Sequence, residues 1–293
     1  MRDGIEVRSI DLYEEMVQAE DLQRIVWSGS ETDIIPAHLS MPISHNGGVV
    51  LGAFDQDKLI GYLLGFLGTD SESTDGNAMT RLKHWSHQVG VHPDYRDCGI
   101  GFALKQAQRE EVLKQGIRLI TWTYDPLLSL NAHLNIRRLG AVCKTYIQRA
   151  YGEMRDALNV GVDSDRFQVD WWITSPRVSS RFDEVRRPLD MAHYLDAGAK
   201  KVNTITQDGE GHLYPGEVIN APEGMVALVE IPPDFHALKR FDLGLAKSWR
   251  EHSRDVFTSL FTAGYLVTDF LFLKGEEQHR SYYVLTHGEG KPE

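Results

Sequence analysis

The chain has 293 residues, 42% of them hydrophobic and 25% charged, the profile of a globular protein of one large or two modest domains. Its formal charge of −11 argues against a nucleic-acid partner. No apolar run approaches the length of a bilayer crossing, and the charged start MRDGIEVRSIDLYEE lacks a signal-peptide core, so a cytoplasmic protein without a membrane partner is expected.

Residues 5–10 alternate as a strand, and Asp11 is placed to cap a helix to about Trp27 with Leu12, Met16, Ala19 and Leu22 inward. Pro36 and Pro42 break the stretch 28–46 into short turns. Two apolar runs, 47–54 and 58–67, flank Asp55-Gln56-Asp57 and predict a hairpin. The polar segment 68–80 reads as a loop. A strand over 85–91, ending Val89-Gly90-Val91, leads through a polar turn into Arg96-Asp97-Cys98-Gly99-Ile100-Gly101 and then a helix. On that helix Ile100, Ala103, Leu104 and Ala107 form the apolar stripe, while Lys105, Gln106 and Arg109 fall off it, and Gly116 ends it. A strand over 117–124, a helix over 128–139 stopped by Gly140, and strands over 141–151 and 167–173 follow. The stretch 176–200 is charged and weakly patterned, like a linker or peripheral helix. Organisation then resumes with a strand over 225–231, a helix from Asp242 to Thr262 with Leu245, Trp249, Val256 and Leu260 inward, and strands over 265–273 and 281–286.

The glycines at 99 and 101 stand where a strand turns into a helix. The first N–H groups of a helix lack intrahelical partners, and its macrodipole adds partial positive charge there. Glycine lets an anion approach that backbone closely, so the turn is either a phosphate cradle, with Arg96 at its edge, or a tight turn that needed glycine. The dinucleotide fingerprint is excluded because Leu104 stands where its third glycine belongs, and no Gly-Lys-Ser/Thr completes a P-loop. The twelve histidines are scattered without metal-ligand spacing, so no metal is expected. Cys98 and Cys143 read as free thiols of a reducing compartment.

What remains, Arg-x-x-Gly-x-Gly after a strand ending Val-Gly-Val, resembles motif A of the GNAT (GCN5-related) acyl-CoA N-acyltransferase superfamily. The resemblance covers about residues 1–175 and implies an α/β fold with a mixed, largely antiparallel sheet and helices on both faces. In that fold the fourth and fifth strands splay apart around the pantetheine arm of acyl-CoA. Residues 176–293 would be a C-terminal α/β segment, read either as a degenerate half-repeat of the GNAT fold or as an unrelated extension.

The resemblance implies that the backbone of Val89, Gly90 and Val91 holds the pantetheine and polarises the thioester carbonyl. Pyrophosphate contacts map to Arg96, Asp97, Cys98, Gly99, Ile100, Gly101 and Phe102. The tyrosine that often protonates the departing thiolate is replaced by Ile136, so Tyr124 and Tyr146 stand as substitutes. Asn131 and Asn135, four residues apart on a helix, are candidates for the pantetheine arm or for helix capping. For the base, His87 comes first, sharing a strand face with Trp85 and Val89, while His84 points the other way unless a bulge intervenes; Asp125 comes second.

The expectation is therefore an N-acyltransferase, most simply an acetyltransferase, acting by direct attack of a primary amine in a ternary complex. A small-molecule amine such as an amino acid is the expected acceptor, with acetyl or succinyl as the acyl group, and a homo-oligomer is compatible with the sequence. The rivals are a non-catalytic acyl-CoA-binding or regulatory protein, favoured by Ile136, and a protein-lysine acetyltransferase.

Overall fold

A computed structural model describes residues 4–27, 29, 31–70, 81–152, 160–182, 187–221, 223–275 and 278–288. The chain packs into two compact units that divide between Trp122 and Thr123.

In the first unit, β1 (Ile5–Ser9) leads into α1 (Tyr13–Val26), a 3₁₀ turn (Glu31–Asp33) and α2 (Ala37–His45). The two apolar runs become β2 (Val49–Asp55) and β3 (Lys58–Thr69), followed by β4 (Leu82–Val91), a 3₁₀ turn (Pro93–Tyr95), α3 (Ile100–Lys114) and β5 (Leu119–Tyr124), which ends in the second unit. The predicted loop begins two residues late, since β3 runs to Thr69, and 71–80 lie outside the described residues. Strands β1 to β4 pair antiparallel in sequence order, and β5 joins β4 in parallel. Met16, Ala19 and Leu22 of α1 close over Val50, Phe54, Tyr62 and Leu64 of the sheet. Each such side chain taken from water contributes about 1.5–3 kcal/mol.

Two expectations fail here. Leu12, not Asp11, occupies the position before α1, without a side-chain cap, and is 59% exposed instead of buried. On α3 the buried residues are Ile100, Leu104, Lys105, Gln108 and Val112, so the inward stripe lies over Lys105 and leaves Ala103 and Ala107 half-buried.

In the second unit, the helix predicted over 128–139 is one α-helical turn, α4 (Ser129–Ala132), that widens into a π-helical stretch (His133–Arg138). Then come β6 (Val142–Ile147), shorter than predicted, and β7 (Arg166–Trp172). The weakly patterned stretch supplies α5 (Pro176–Ser179), α6 (Met191–Asp196, with Asp190 in a capping box) and β8 (Lys200–Lys201). An unexpected two-stranded ribbon, β9 (Asn203–Gln207) and β10 (Leu213–Ile219), precedes β11 (Val226–Ile231). Next are α7 (Phe235–Phe241), α8 (Leu243–Thr262, capped by Asp242), β12 (Tyr265–Leu273) and β13 (Arg280–His287).

The sheet of this unit runs β7-β6-β12-β13-β11-β8. Its centre is a single pairing, Val267 with Cys143, and on each side a helix–strand–strand unit is arranged in mirrored order: α4, β6, β7 and α8, β12, β13. Strands β6 and β7 share this sheet with the later strands and so fall in the second unit. Phe167 anchors the core here, with its ring against Tyr124, Tyr146, Phe257, Phe261 and Tyr283.

Candidate functional site

The polar turn before α3 is fixed from both sides. Tyr95 donates a 2.8 Å hydrogen bond to Asp55 at the end of β2, and the His92 N–H donates to the Ile60 carbonyl of β3. Gly99 then sits before α3 at φ 80°, a left-handed conformation that L side chains resist, and a Cβ there would meet nothing within 4 Å. The space in front of the helix end is open. The first intrahelical bond recorded runs from Ala103 to the Gly99 carbonyl, so the N–H groups of Ile100, Gly101 and Phe102 precede the ladder. Ile100 is buried and brings only its backbone to this end, while Arg96 and Asp97 are exposed at its rim, with Cys98 half-buried. The residues present fit a pyrophosphate group.

Beside this cradle the sheet opens. Strands β4 and β5 are paired at His84–Ile120 and Trp85–Thr121. On its other side β4 stays paired with β3 as far as Val91. Val89, Gly90 and Val91 therefore present a backbone edge towards the opening. A Cβ on Gly90 would lie 2.9 Å from the Trp27 ring, so glycine lets that ring lie against the strand.

The β3–β4 register slips at one point: Gln88 faces Leu64 and Ser86 faces Gly65, leaving His87 as a bulge. The slip corrects the expected facing. Residues before the bulge reverse their relation to those after it, so Val89 shares a face with His84 and Ser86 and not with Trp85. His87 itself stays with Trp85, whose Nε1 donates to its Nδ1 at 3.4 Å, and with the Phe66 ring. Desolvation lowers its pKa from the ordinary imidazole value, which leaves it neutral at pH 7.

Tyr124, Asp125, Asn131, Asn135 and Tyr146 belong to the second unit. The Tyr124 hydroxyl lies 3.1 Å from that of Tyr283, which donates to the Pro126 carbonyl, and burial raises the Tyr124 pKa. Tyr146 donates to Asp165 at 2.8 Å and is raised chiefly by burial. The two tyrosines come together against Phe167. Asp125 is corrected as a base. Burial alone would raise its pKa, but Arg250 more than reverses that, bonding both carboxylate oxygens with one contact at 2.9 Å. The asparagines do not share a face either: a π-helical stretch turns less per residue, and Asn131 is exposed while Asn135 is 7% exposed.

One residue of the first unit was not anticipated. Lys105, 2% exposed, donates to Ser86 Oγ at 3.0 Å and to Gln108 Oε1 at 2.7 Å, and its ammonium lies 3.7 Å from the centre of the Trp122 ring. The available signal was a serine, Ser86, inside an otherwise buried strand face. Among the described residues, no group of three or more His, Cys, Asp or Glu side chains is placed to hold a metal ion. No described helix is long and apolar enough to cross a membrane.

None of the curated proteins matches the sequence. Among solved structures, a GNAT-family acetyltransferase from Desulfovibrio desulfuricans is similar at 14% identity and TM-score 0.41, covering 58% of this chain and 99% of its own. Aminoglycoside 6′-acetyltransferase type Ii is similar at 19% identity and TM-score 0.43, covering 57% and 97%. Arabidopsis thaliana NAA60 in complex with acetyl-CoA is similar at 17% identity and TM-score 0.42, covering 57% and 99%. The model of the acetyltransferase (GNAT) family matches residues 11–140, which span α1 through the helix after β5. The chain carries an acetyltransferase domain of the GNAT family over residues 11–140.

Proposed function

We propose that the protein is an acyl-CoA-dependent N-acyltransferase, acting first as an acetyltransferase on a primary amine of a small molecule such as an amino acid. Residues 1–175 are assigned to its transferase domain and 176–293 to a C-terminal segment. The observation that carries this reading is the juxtaposition in one unit of an open helix end, at Gly99, with strands that part after Trp85–Thr121. Acyl-CoA supplies the activated thioester carbonyl. The backbone of Val89, Gly90 and Val91 holds and orients the pantetheine arm that carries it. Arg96 through Phe102 hold the pyrophosphate at the helix N-terminus. His87, neutral at pH 7, takes the proton from the attacking ammonium. The free thiols Cys98 and Cys143 fit a reducing, cytoplasmic setting.

A second reading, an acyl-CoA-binding protein without turnover, draws on the wholly buried Ile136 at the position where the family often has its acid. Thiol release separates the two. Acetyl-, propionyl- and succinyl-CoA are each run against free amino acids, polyamines and lysine-bearing peptides, with Gly99→Glu as the control. Release with small amines alone, abolished by Gly99→Glu, supports the proposal. Release with peptides alone favours a protein-lysine acetyltransferase, and binding of CoA without release favours the second reading.

A further inference from the structure

Ser86 is the first β4 residue beyond the last pairing with β5, and Trp122 is the first β5 residue beyond it. Lys105 reaches up from α3 and touches both, donating to Ser86 Oγ at 3.0 Å and lying 3.7 Å over the Trp122 ring. Its ammonium therefore stands at the vertex where the two strands part, on the face covered by α3. Ser86 is 4% exposed, and a hydroxyl that accepts from an ammonium keeps its own O–H to donate. From Val91 to Ser86, β4 spans roughly 16 Å at ~3.3 Å per residue. An extended pantetheine arm laid along β4 from a pyrophosphate at the N-terminus of α3 would be directed towards Ser86.

We propose that Ser86 is the acid for thiolate departure and that Lys105 positions and recharges it; this rests on the acyl-transfer reading above. As the carbon–sulfur bond breaks, its electron pair passes to sulfur, and the Ser86 hydroxyl proton moves to that sulfur. The Lys105 ammonium gives a proton to the Ser86 oxygen, which restores the hydroxyl and leaves a neutral amine. Water reaching the vertex on product release returns a proton to Lys105. The relay answers a need visible in the chain: Ile136 carries no proton, and the hydroxyls of Tyr124 and Tyr146 are engaged with Tyr283 and Asp165. Burial shifts Lys105 in the useful direction, lowering its pKa towards that of a thiol.

The test uses the full chain loaded with free CoA, whose thiol is titrated by thiolate absorbance, a readout independent of acceptor and turnover. The bound thiol is expected to hold about tenfold less thiolate at pH 7.5 in Ser86→Ala and in Lys105→Met than in the wild type. With whichever amine is turned over, each variant is expected to lose roughly 10²–10³ in kcat at unchanged CoA affinity. The double variant is expected to be no slower than either single one, because a relay fails once at any link. Lys105→Arg, which keeps charge without giving up a proton, is expected to retain the thiol titration but not the rate. Should Lys105→Met fail to fold, Ser86→Ala, the loss of one oxygen, carries the test alone. Identical titration in wild type and Ser86→Ala overturns the relay, as do losses that multiply in the double variant. If wild type binds no CoA, the acyl-transfer reading falls and the relay with it; if it binds and turns over with the titration unmoved, the relay alone falls.

Discussion

Arg250 and Asp125, 125 residues apart in sequence, are both almost fully buried and meet through two guanidinium–carboxylate contacts. Arg166 adds a third charge 3.7 Å from the same carboxylate. Breaking one partner of a buried pair leaves the other charge uncompensated, which typically costs about 3–5 kcal/mol. Asp125→Ala is thus expected to lower the denaturation midpoint strongly, while Asp125→Ala with Arg250→Met recovers part of the loss. The sign with pH follows from the carboxyl's lowered pKa. Its contribution is present above the unfolded value of ~3.9 and is lost as pH falls through the folded value. Urea titrations of the three proteins at pH 7 and at successive values below ~3.9 check both statements.

The buried bases of the first unit act in the opposite chemical sense. Burial, with Lys105 nearby, pushes His84 down to about 3, and neither ring nitrogen has a hydrogen-bond partner. Unfolded, the imidazole titrates at ~6.5, so between these values the unfolded chain holds a proton that the folded chain does not. Stability therefore falls as pH drops below ~6.5, by up to ~1.4 kcal/mol per pH unit from this group. Lys105 has the same sign at higher pH, costing stability as pH falls below ~10.4 towards its lowered folded value. His84→Gln is expected to flatten the acid branch and Lys105→Met the alkaline branch of a stability-against-pH curve. A curve unchanged by either substitution contradicts the desolvation of the two groups.

At Gly99 backbone and charge separate cleanly. The open space around it leaves Gly99→Ala only the left-handed backbone penalty, about 1–2 kcal/mol of stability. Gly99→Glu adds a carboxylate at the helix end proposed to hold the pyrophosphate. Calorimetry is expected to show CoA affinity reduced at least tenfold more in Gly99→Glu than in Gly99→Ala. Equal affinities in the two would detach the cradle from CoA.

How far these features could be read in sequence depends on where their determinants lie. The strand–turn–helix around Gly99 was legible because it is written in backbone: a strand, Gly99 and Gly101, then a helical pattern within a few dozen residues. The β2–β3 hairpin was legible for the same local reason. Lys105 was not, because helical period places it at the flank of the Leu104 stripe, and Ser86 and Trp122, which join Gln108 in making its burial tolerable, come from two other strands. Asp125 looked like a free carboxylate because Arg250 arrives from α8. The widening of the helix after Ala132 and the slip at His87 are geometric, and the alternation that predicts facing cannot detect either.

That slip decides what His87 is able to do. A bulged residue is released from the ladder and re-aimed, and here it lies beside Trp85 and Phe66 instead of in line with Val89. The Trp85 Nε1 proton points at Nδ1, which fixes the tautomer with the remaining ring hydrogen on Nε2; a second proton taken by the ring competes with that contact. Desolvation acts the same way, lowering the pKa from its ordinary value. A base of lowered pKa works at lower pH: kcat/KM is expected to rise as pH increases through a midpoint below ~6.5, as the imidazole loses its proton. His87→Ala is expected to lose that acid limb together with roughly 10²-fold in rate. Trp85→Phe, which keeps an aromatic ring but loses the indole N–H, is expected to keep the rate and move the midpoint upward. A profile whose acid limb survives in His87→Ala would assign the base to another group or to water.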